Sequence, residues 1–366
     1  MAVLNVLVAG AGPAGLYFSY LAKRANPGWR IRVVEQNPPD ATFGFGVVFS
    51  DRALEFLQAD DPATYALITP QLEAWVDLHV VHRGERHVID GIGFAAIGRL
   101  NFLRLMQRQA ASVGVRAEFN TPVGGISGYD LVVAADGANS AVRRNADFGT
   151  SVTHCTNKFA WYGTPKRFEK LTQTFLKNEH GSFNVHHYAH AADMSTFVTE
   201  CDAATWQRAG FAQMGEAETR AYLERVYAPV LEGAPLVSNK SIWRNFPNVR
   251  NERWSAGNVV LIGDALRTAH FSIGSGTRLA MEDAIALNKA LNAHSGIPQA
   301  LQAFEEARRP IVEKLVAAAD ASAAWYDRFA EHMNLSPREF AWSYIQRSGR
   351  IDPERLGRIS PRFARS

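Results

Sequence analysis

The sequence predicts an α/β protein whose parallel sheet delivers glycine-rich turns at the C-terminal ends of its strands. Three observations carry that prediction: a glycine turn near the N-terminus, an acidic residue closing a second strand, and two further strand-end signals at residues 129–143 and 257–264. The first lies in "VLVAGAGPAGL" (6–16). Val3, Leu4, Val6, Leu7 and Val8 form an apolar run of strand type, and a helical pattern begins over residues 16–22. Between them Gly10, Gly12 and Gly15 hold the spacing G-x-G-x-x-G, with Ala14 inside the turn. The first glycine permits the tight turn, the second lets backbone approach a pyrophosphate, and the third lets helix and strand pack closely. The free N–H groups at the start of the helix then point at the phosphates. The second observation is "RIRVVE" (30–35), a strand that ends at Glu35, 20 residues beyond Gly15. An acid at that distance accepts from a ribose 2′-hydroxyl, and Glu35 with its neighbour Gln36 are the candidate contacts. Strand, turn, helix, strand and acid in that order identify an adenine dinucleotide; FAD and NAD both remain open at this stage.

The third observation comes from two later segments. "YDLVVAADGANSAVR" (129–143) predicts a buried strand that presents Asp136-Gly137 at its end, followed by Ser140 and Arg143 at helical spacing. "GNVVLIGD" (257–264) repeats the logic with Gly263-Asp264. The following "ALRTAHFSIGSGTRLAMEDAIAL" (265–287) places Gly274 and Gly276 in a loop before a helix resumes over 278–287. Ligands of open α/β sheets bind at such strand ends, and a helix N-terminus there suits a phosphate or a developing negative charge. Each pair alone reads as a turn; three in one chain read as one site.

Bulk properties narrow the class. A chain of 366 residues predicts one large or two interleaved domains. Hydrophobic residues at 47% and charged residues at 20% are ordinary for a globular enzyme, and a net charge of +3 is too small to argue for nucleic acid. No apolar run reaches the roughly 18 residues of a membrane span, and no secretory leader is visible. Cys155 and Cys201 are far apart and lack metal-type spacing, so buried free thiols, no metal and a cytoplasmic setting are expected.

The set "GAGPAG", "DGANSAVR" and "GDA…GSG…EDA" resembles the FAD-dependent aromatic hydroxylases, the group that includes 4-hydroxybenzoate hydroxylase, over roughly residues 1–350. That resemblance implies one FAD on a Rossmann-type domain, interleaved with a mostly antiparallel β-sheet substrate domain, and no separate fold for NADH or NADPH, the reductant. It also implies roles. Gly10, Gly12, Gly15 and Glu35 hold the adenosine diphosphate, and Arg99 heads a helix beneath the FAD. Asp136 and Gly137 serve the pyrophosphate region, Asp264 bonds the ribityl chain, and Gly274 and Gly276 present N–H groups to the flavin. Where many relatives continue with Ala-His and two prolines, this chain has Leu266, Arg267, His270 and Phe271, so an altered pocket wall is expected, with His270 as the catalytic candidate over the flavin.

"FGFGVVFSD" (43–51), "FLKNEHGSFNVHHY" (175–188), "SNKSIWRNFPNVRNERW" (238–254) and "AHFSIGSGT" (269–277) resemble more narrowly the salicylyl-CoA 5-hydroxylases and the monooxygenase half of 2-aminobenzoyl-CoA monooxygenase/reductase. The tryptophan-derivative hydroxylase of the violacein pathway is similar too. The resemblance implies hydroxylation of an electron-rich ring with O₂, the substrate an aryl-CoA thioester. Alternatives are an indole substrate, or a flavin-binding redox partner that does not oxygenate. The chain lacks room for the fused reductase, which points to a single-function hydroxylase or a fragment. Gly46, Val47, His186, Trp243, Arg244 and Phe271 are substrate-pocket candidates, and Trp161, Tyr162 and Phe246 could complete an aromatic wall. Alternation turns one of His186 and His187 inward. Lys166, Arg167 and Lys170 could meet CoA phosphates, or form a solvated charge run. The expected domains are 1–75, 97–155 and 253–310 for FAD, 76–96 and 156–252 for substrate, and a helical C-terminal segment 311–366. Within the last, 304–329 reads as a long amphipathic helix packing on the FAD domain or on a partner, a homodimer being open.

Overall fold

The structure, a computed structural model, describes residues 3–50 and 54–365, so Asp51 of the "FGFGVVFSD" motif lies outside the described residues. Its first layer is a six-stranded sheet in the order Ser255–Ala256, Val259–Leu261, Leu131–Ala134, Asn5–Ala9, Arg30–Val34, Ala117–Glu118. All pairs are parallel except the first. Val6, Leu7, Val8 and Leu131 to Ala134 are 0–2% exposed, the near-continuous apolar run of a covered parallel strand. The helix Pro13–Ala25 follows the first strand and packs against the helices Gly276–Ala293 and Arg99–Ser112. The three glycine-bearing turns therefore emerge at the same end of adjacent strands.

The second layer is mostly antiparallel. Its strands run Val237–Ser238, Thr150–Thr164, Met194–Cys201, Gly181–Ala191, Leu171–Asn178, Leu78–His82, Glu85–Ile89, and Arg244–Asn251 pairs along the long strand Thr150–Thr164. Only Leu171–Asn178 and Leu78–His82 run parallel. A third, three-stranded antiparallel sheet joins Gly46–Ser50, Phe94–Gly98 and Glu73–Trp75.

Continuous elements cross three of the expected domain borders. The border at 96/97 falls inside Phe94–Gly98, that at 155/156 inside Thr150–Thr164, and that at 310/311 inside the helix Ile297–Tyr326. Each element continues through the border, although the pairing of Thr150–Thr164 shifts register between His154 and Lys158 and Pro310 lies inside the helix. The long helix begins earlier than expected and ends at Tyr326. Its first two thirds, with Leu301, Phe304, Val312 and Leu315, belong to the core of the parallel sheet. Its last turn, Trp325 and Tyr326, enters a second core with Phe175, Phe329, Phe340 and Tyr344. Phe175 is 1% exposed and its ring lies 4.6 Å from that of Phe340 and 5.6 Å from that of Phe329. One helix thus ties both layers together. No helix among the described residues is long and apolar enough to cross a membrane.

Candidate active site

The glycines of the first turn divide by what a side chain would meet. A Cβ on Gly10, whose φ is +99°, would stand 2.3 Å from the carbonyl oxygen of Ala135, and one on Gly15 would stand 2.0 Å from that of Gly10. These two glycines let the strands and helix approach. Gly12 meets nothing within 4 Å and caps the helix Pro13–Ala25 without a side-chain acceptor, so the first N–H groups of that helix stay open. Gly137 and Gly276 likewise face open space, and all three line one cavity of about 420 Å³.

Glu35 braces the turn from the side. Its carboxylate accepts from the backbone N–H of Ala11 at 3.0 Å and from the backbone and side chain of Asn37 at 2.9 and 2.7 Å. It lies half-buried outside the cavity, and Gln36 beside it is exposed. Asp136 also lies behind the lining. Its Oδ2 accepts from the N–H groups of Ala141 and Val142, holding the turn after Gly137, while its buried Oδ1 has no partner among the described residues.

Asp264 opens onto the cavity with no hydrogen bond to its carboxylate among the described residues, and Arg99 lines the same cavity with a buried, unpartnered Nε. Burial pushes the Asp264 carboxyl up and the Arg99 guanidinium down, and each charge favours the other. The turn that carries Asp264 is held by a buried network. Asp283, 0% exposed, accepts from the backbone N–H of Gly263 at 3.0 Å, from both terminal nitrogens of Arg267 at 2.5 and 3.0 Å, and from Arg308 at 3.3 Å. Arg267 and Leu266 therefore belong to this support and do not line the cavity. Sequence reasoning missed the network, whose only signal is a helix acid in the "EDA" run and an arginine at 267.

The far wall comes from the second sheet. Phe159, Trp161, Phe246 and Phe271 bring aromatic faces to the cavity, with ring centroids 4.9 Å apart for Phe159 and Phe271. His186, Gln173 and Tyr188 supply its buried polar groups. Gly46, Val47 and Arg244 of the expected pocket also line it, as do Ala14 and Gly274. His186 faces inward and His187 outward: the His187 ring packs on Phe168 at 4.1 Å and its Nε2 meets the Thr174 hydroxyl at 2.9 Å. Trp243 does not line the cavity. Strand-like alternation points Ile242 and Arg244 to it and sends Trp243 the other way, onto Phe211 at 4.7 Å. Tyr162 is fully buried in the same outer cluster.

His270 is also displaced from the expected place. Its ring is 3% exposed, stacks on Phe271 at 4.2 Å and does not line the cavity; its Nδ1 meets the Ser272 hydroxyl at 2.9 Å. Burial and Arg347 hold its imidazole neutral, down to about 3. It supports the face of Phe271 that the cavity does not see. Of the two histidines, His186 is the one that lines the cavity. Its buried Nε2 stands 3.9 Å from Oε2 of Glu200, and neither atom has a hydrogen-bond partner among the described residues. Burial lowers the His186 imidazole well below its usual value and raises the Glu200 carboxyl to about 8, despite the donor from Asn157 at 2.9 Å on its other oxygen. Glu200 carried no signal in the sequence because it reads as the polar residue of an ordinary alternating strand.

Of the expected phosphate contacts, Lys166 is paired with Glu232 at 2.9 Å and Arg167 with Glu73 at 2.7 Å. Cys155 and Cys201 are free and buried, and burial raises the Cys155 thiol to about 11. No group of three or more His, Cys, Asp or Glu among the described residues could hold a metal ion.

These residues fit FAD. Three glycines whose missing side chains leave open space, an uncapped helix start, the Asp264 carboxylate and the buried, unpartnered Nε of Arg99 face one cavity between the layers. The comparisons with known proteins agree. Residues 114–319 match the FAD binding domain family. The chain is 40% identical to a salicyloyl-CoA 5-hydroxylase from Streptomyces, over 94% of this chain and 70% of that one. It is 38% identical to the 3-hydroxy-4-methyl-anthranilyl-[aryl-carrier protein] 5-monooxygenase of Streptosporangium sibiricum, over 90% of both. It is 34% identical to the protodeoxyviolaceinate monooxygenase of Chromobacterium violaceum, over 96% of both.

Two outcomes test this geometry. Gly12→Ala, at an ordinary φ of −78° and in open space, should leave stability within about 0.5 kcal/mol while weakening FAD at least about tenfold, because the methyl group meets the phosphates. Gly15→Ala should instead cost roughly 1–3 kcal/mol or more through overpacking. Urea unfolding and flavin-fluorescence titration separate the two. For Glu200, the folded chain keeps a proton that the unfolded chain releases near 4.5, so this residue's contribution is full below that pH and is lost as pH rises through about 8. Glu200→Gln should therefore gain stability relative to the parent between about pH 5 and about pH 9, read as the difference in urea midpoints.

Proposed function

The chain belongs to the FAD binding domain family of monooxygenases, and from that premise we propose that it hydroxylates an aromatic ring carried as a thioester, salicylyl-CoA being the leading candidate. FAD held in the cavity and reduced by NADH or NADPH would supply the chemistry that delivers an oxygen atom of O₂ to an electron-rich ring carbon. The rest of the task falls to side chains of this chain. Arg99 and Asp264 bind the flavin side of the cavity, and the N–H groups beginning the helix Pro13–Ala25 receive the pyrophosphate. Phe159, Trp161, Phe246 and Phe271 clamp the ring and keep water out. His186, neutral in its buried setting, accepts a hydrogen bond from the ring hydroxyl or amine and raises the electron density of the ring.

The observation that carries the thioester reading is the charge of the inner wall. His186, Gln173 and Tyr188 are neutral groups, 3–6% exposed. One cation, Arg347, stands near His186, and the other cations that line the cavity are placed elsewhere. Arg99 faces Asp264, Arg347 donates to the carbonyls of Tyr344 and Ser272 at 2.9 Å, and Lys240 and Arg244 are exposed. A free benzoate would bring a carboxylate into this wall of neutral groups, where Arg347 already has two of its nitrogens committed to carbonyls, and a thioester avoids that desolvation cost. The likeness to two enzymes whose names give acyl-bound aryl substrates supports the same reading. An indole would also suit a neutral wall, and the likeness to the protodeoxyviolaceinate monooxygenase favours it as the second reading.

Purified holoenzyme supplied with NADH and O₂ should hydroxylate salicylyl-CoA or 2-aminobenzoyl-CoA in preference to the free acids and to indoles. Product from indoles alone would establish the second reading. With the accepted substrate, His186→Ala should retain FAD yet lose about 10²-fold or more in hydroxylation and release hydrogen peroxide. His270→Ala, acting only through Phe271, should lose less than about tenfold. NADH consumed, peroxide released and product formed, measured together, decide between the two histidines.

A further inference from the structure

One feature at the rim of the cavity is left unused by the flavin and the ring. Phe43 is 46% exposed and Ile242 57% exposed, yet both line the cavity, so they mark its mouth. Two cations flank Phe43: Nζ of Lys240 lies 5.7 Å from the ring centroid and the guanidinium carbon of Arg244 lies 5.6 Å from it. Both cations line the cavity, and neither has a carboxylate partner among the described residues. The contrast with Lys166 and Arg167, each committed to a glutamate, is direct.

The mouth is also braced. Asn239 donates through its side chain to the carbonyls of Thr42 and Gly44, both at 3.1 Å, which fastens the Phe43 loop to the turn that carries Lys240. Ser241 donates to the carbonyl of Trp161. Lys240 itself sits at φ +55°, a left-handed conformation unfavourable for a residue with a side chain and kept only where the surroundings enforce it. A flexible surface lysine needs none of this. Two positive charges without a carboxylate partner among the described residues are held beside an exposed ring at the entrance to the cavity.

We infer that Lys240 and Arg244 form a subsite for the phosphate groups of the substrate's carrier arm, the phosphorylated pantetheine chain of a CoA thioester, with Phe43 and Ile242 flanking its apolar length. The inference rests on the thioester reading and adds to it the place where the carrier is recognised. Phosphates placed there lie outside the low-dielectric pocket, so the ring and thioester enter while the charges remain in water. The same chemistry could come from the reduced nicotinamide dinucleotide, which also carries phosphates, and the test separates the two.

Oxidised holoenzyme is titrated with salicylyl-CoA and with salicylyl-pantetheine, which keeps the ring and thioester and lacks every phosphate. Perturbation of the flavin absorbance reports Kd without turnover. The wild-type protein should bind the CoA ester at least about tenfold more tightly at low salt, and the ratio should shrink as ionic strength rises. In the double variant Lys240→Glu, Arg244→Glu the ratio should fall to about one or below. Lys240→Ala, Arg244→Ala should show an intermediate ratio, and provides the measurement if charge reversal harms folding. A ratio that is the same in wild type and variants overturns the subsite while leaving the thioester reading in place. A ratio unchanged while the KM for NADH or NADPH rises assigns the subsite to the nicotinamide dinucleotide and also overturns it. Failure of the wild-type protein to bind either thioester, with binding of an indole, removes the thioester reading and the subsite together.

Discussion

The geometry of the site depends first on the buried carboxylate of Asp283. It joins three pieces of backbone that are distant in sequence: the turn at Gly263, the helix Gly276–Ala293 on which it stands, and, through Arg308, the long helix Ile297–Tyr326. Gly263 takes φ +59° and delivers Asp264 toward the cavity, a conformation that the N–H contact with Asp283 helps to hold. Arg267 closes the other side of the same carboxylate with two hydrogen bonds. Burying such a cluster brings little net stability, because desolvation offsets the Coulombic attraction, but it tolerates few alternative arrangements. Its consequence is directional. The loop from Asp264 to Gly276 is carried past the flavin region on a fixed footing.

The second constraint is the join between the layers. The long helix lies in the first core along two thirds of its length and in the second core at its end, so the glycine turns and the antiparallel sheet are held at one separation. That separation is the cavity. Aromatic rings fill most of its far side, and the buried polar groups among them are kept uncharged. Burial lowers His186 and, behind the wall, lowers His270 and raises Glu200, which leaves these three groups uncharged near physiological pH. An enzyme that must admit an aromatic ring and keep water from a reactive oxygen species is served by such a wall. Among the described residues, positive charge lines the cavity at Arg99 facing Asp264, at Arg347 near His186, and at the mouth.

Much of this was legible in the chain because it depends on local rules. Gly10, Gly12 and Gly15 with a strand before and a helix after specify a phosphate-binding turn from spacing alone, and the strand Arg30–Val34 fell where its composition placed it. The Asp136-Gly137 and Gly263-Asp264 turns likewise sit at strand ends of the parallel sheet. Borders were less legible. Thr150–Thr164 and Phe94–Gly98 run through places where the reading divided the chain, since a strand that passes from one layer to the next changes its neighbours without changing its residues.

By itself, then, the sequence determined an adenine-dinucleotide turn and the parallel scaffold, because backbone conformation at glycine and the apolar character of buried strands are local properties. Only the tertiary structure decided which polar side chains face the substrate. His270 was expected over the flavin from its position in the loop, yet the ring of Phe271 takes the cavity face and His270 packs behind it. Trp243 and Arg244 are neighbours in sequence and lie on opposite sides of the wall. Glu200 looks like any strand carboxylate until the long helix covers it. In each case the outcome follows from what packs against the residue from elsewhere in the chain, and no spacing along the sequence contains that information.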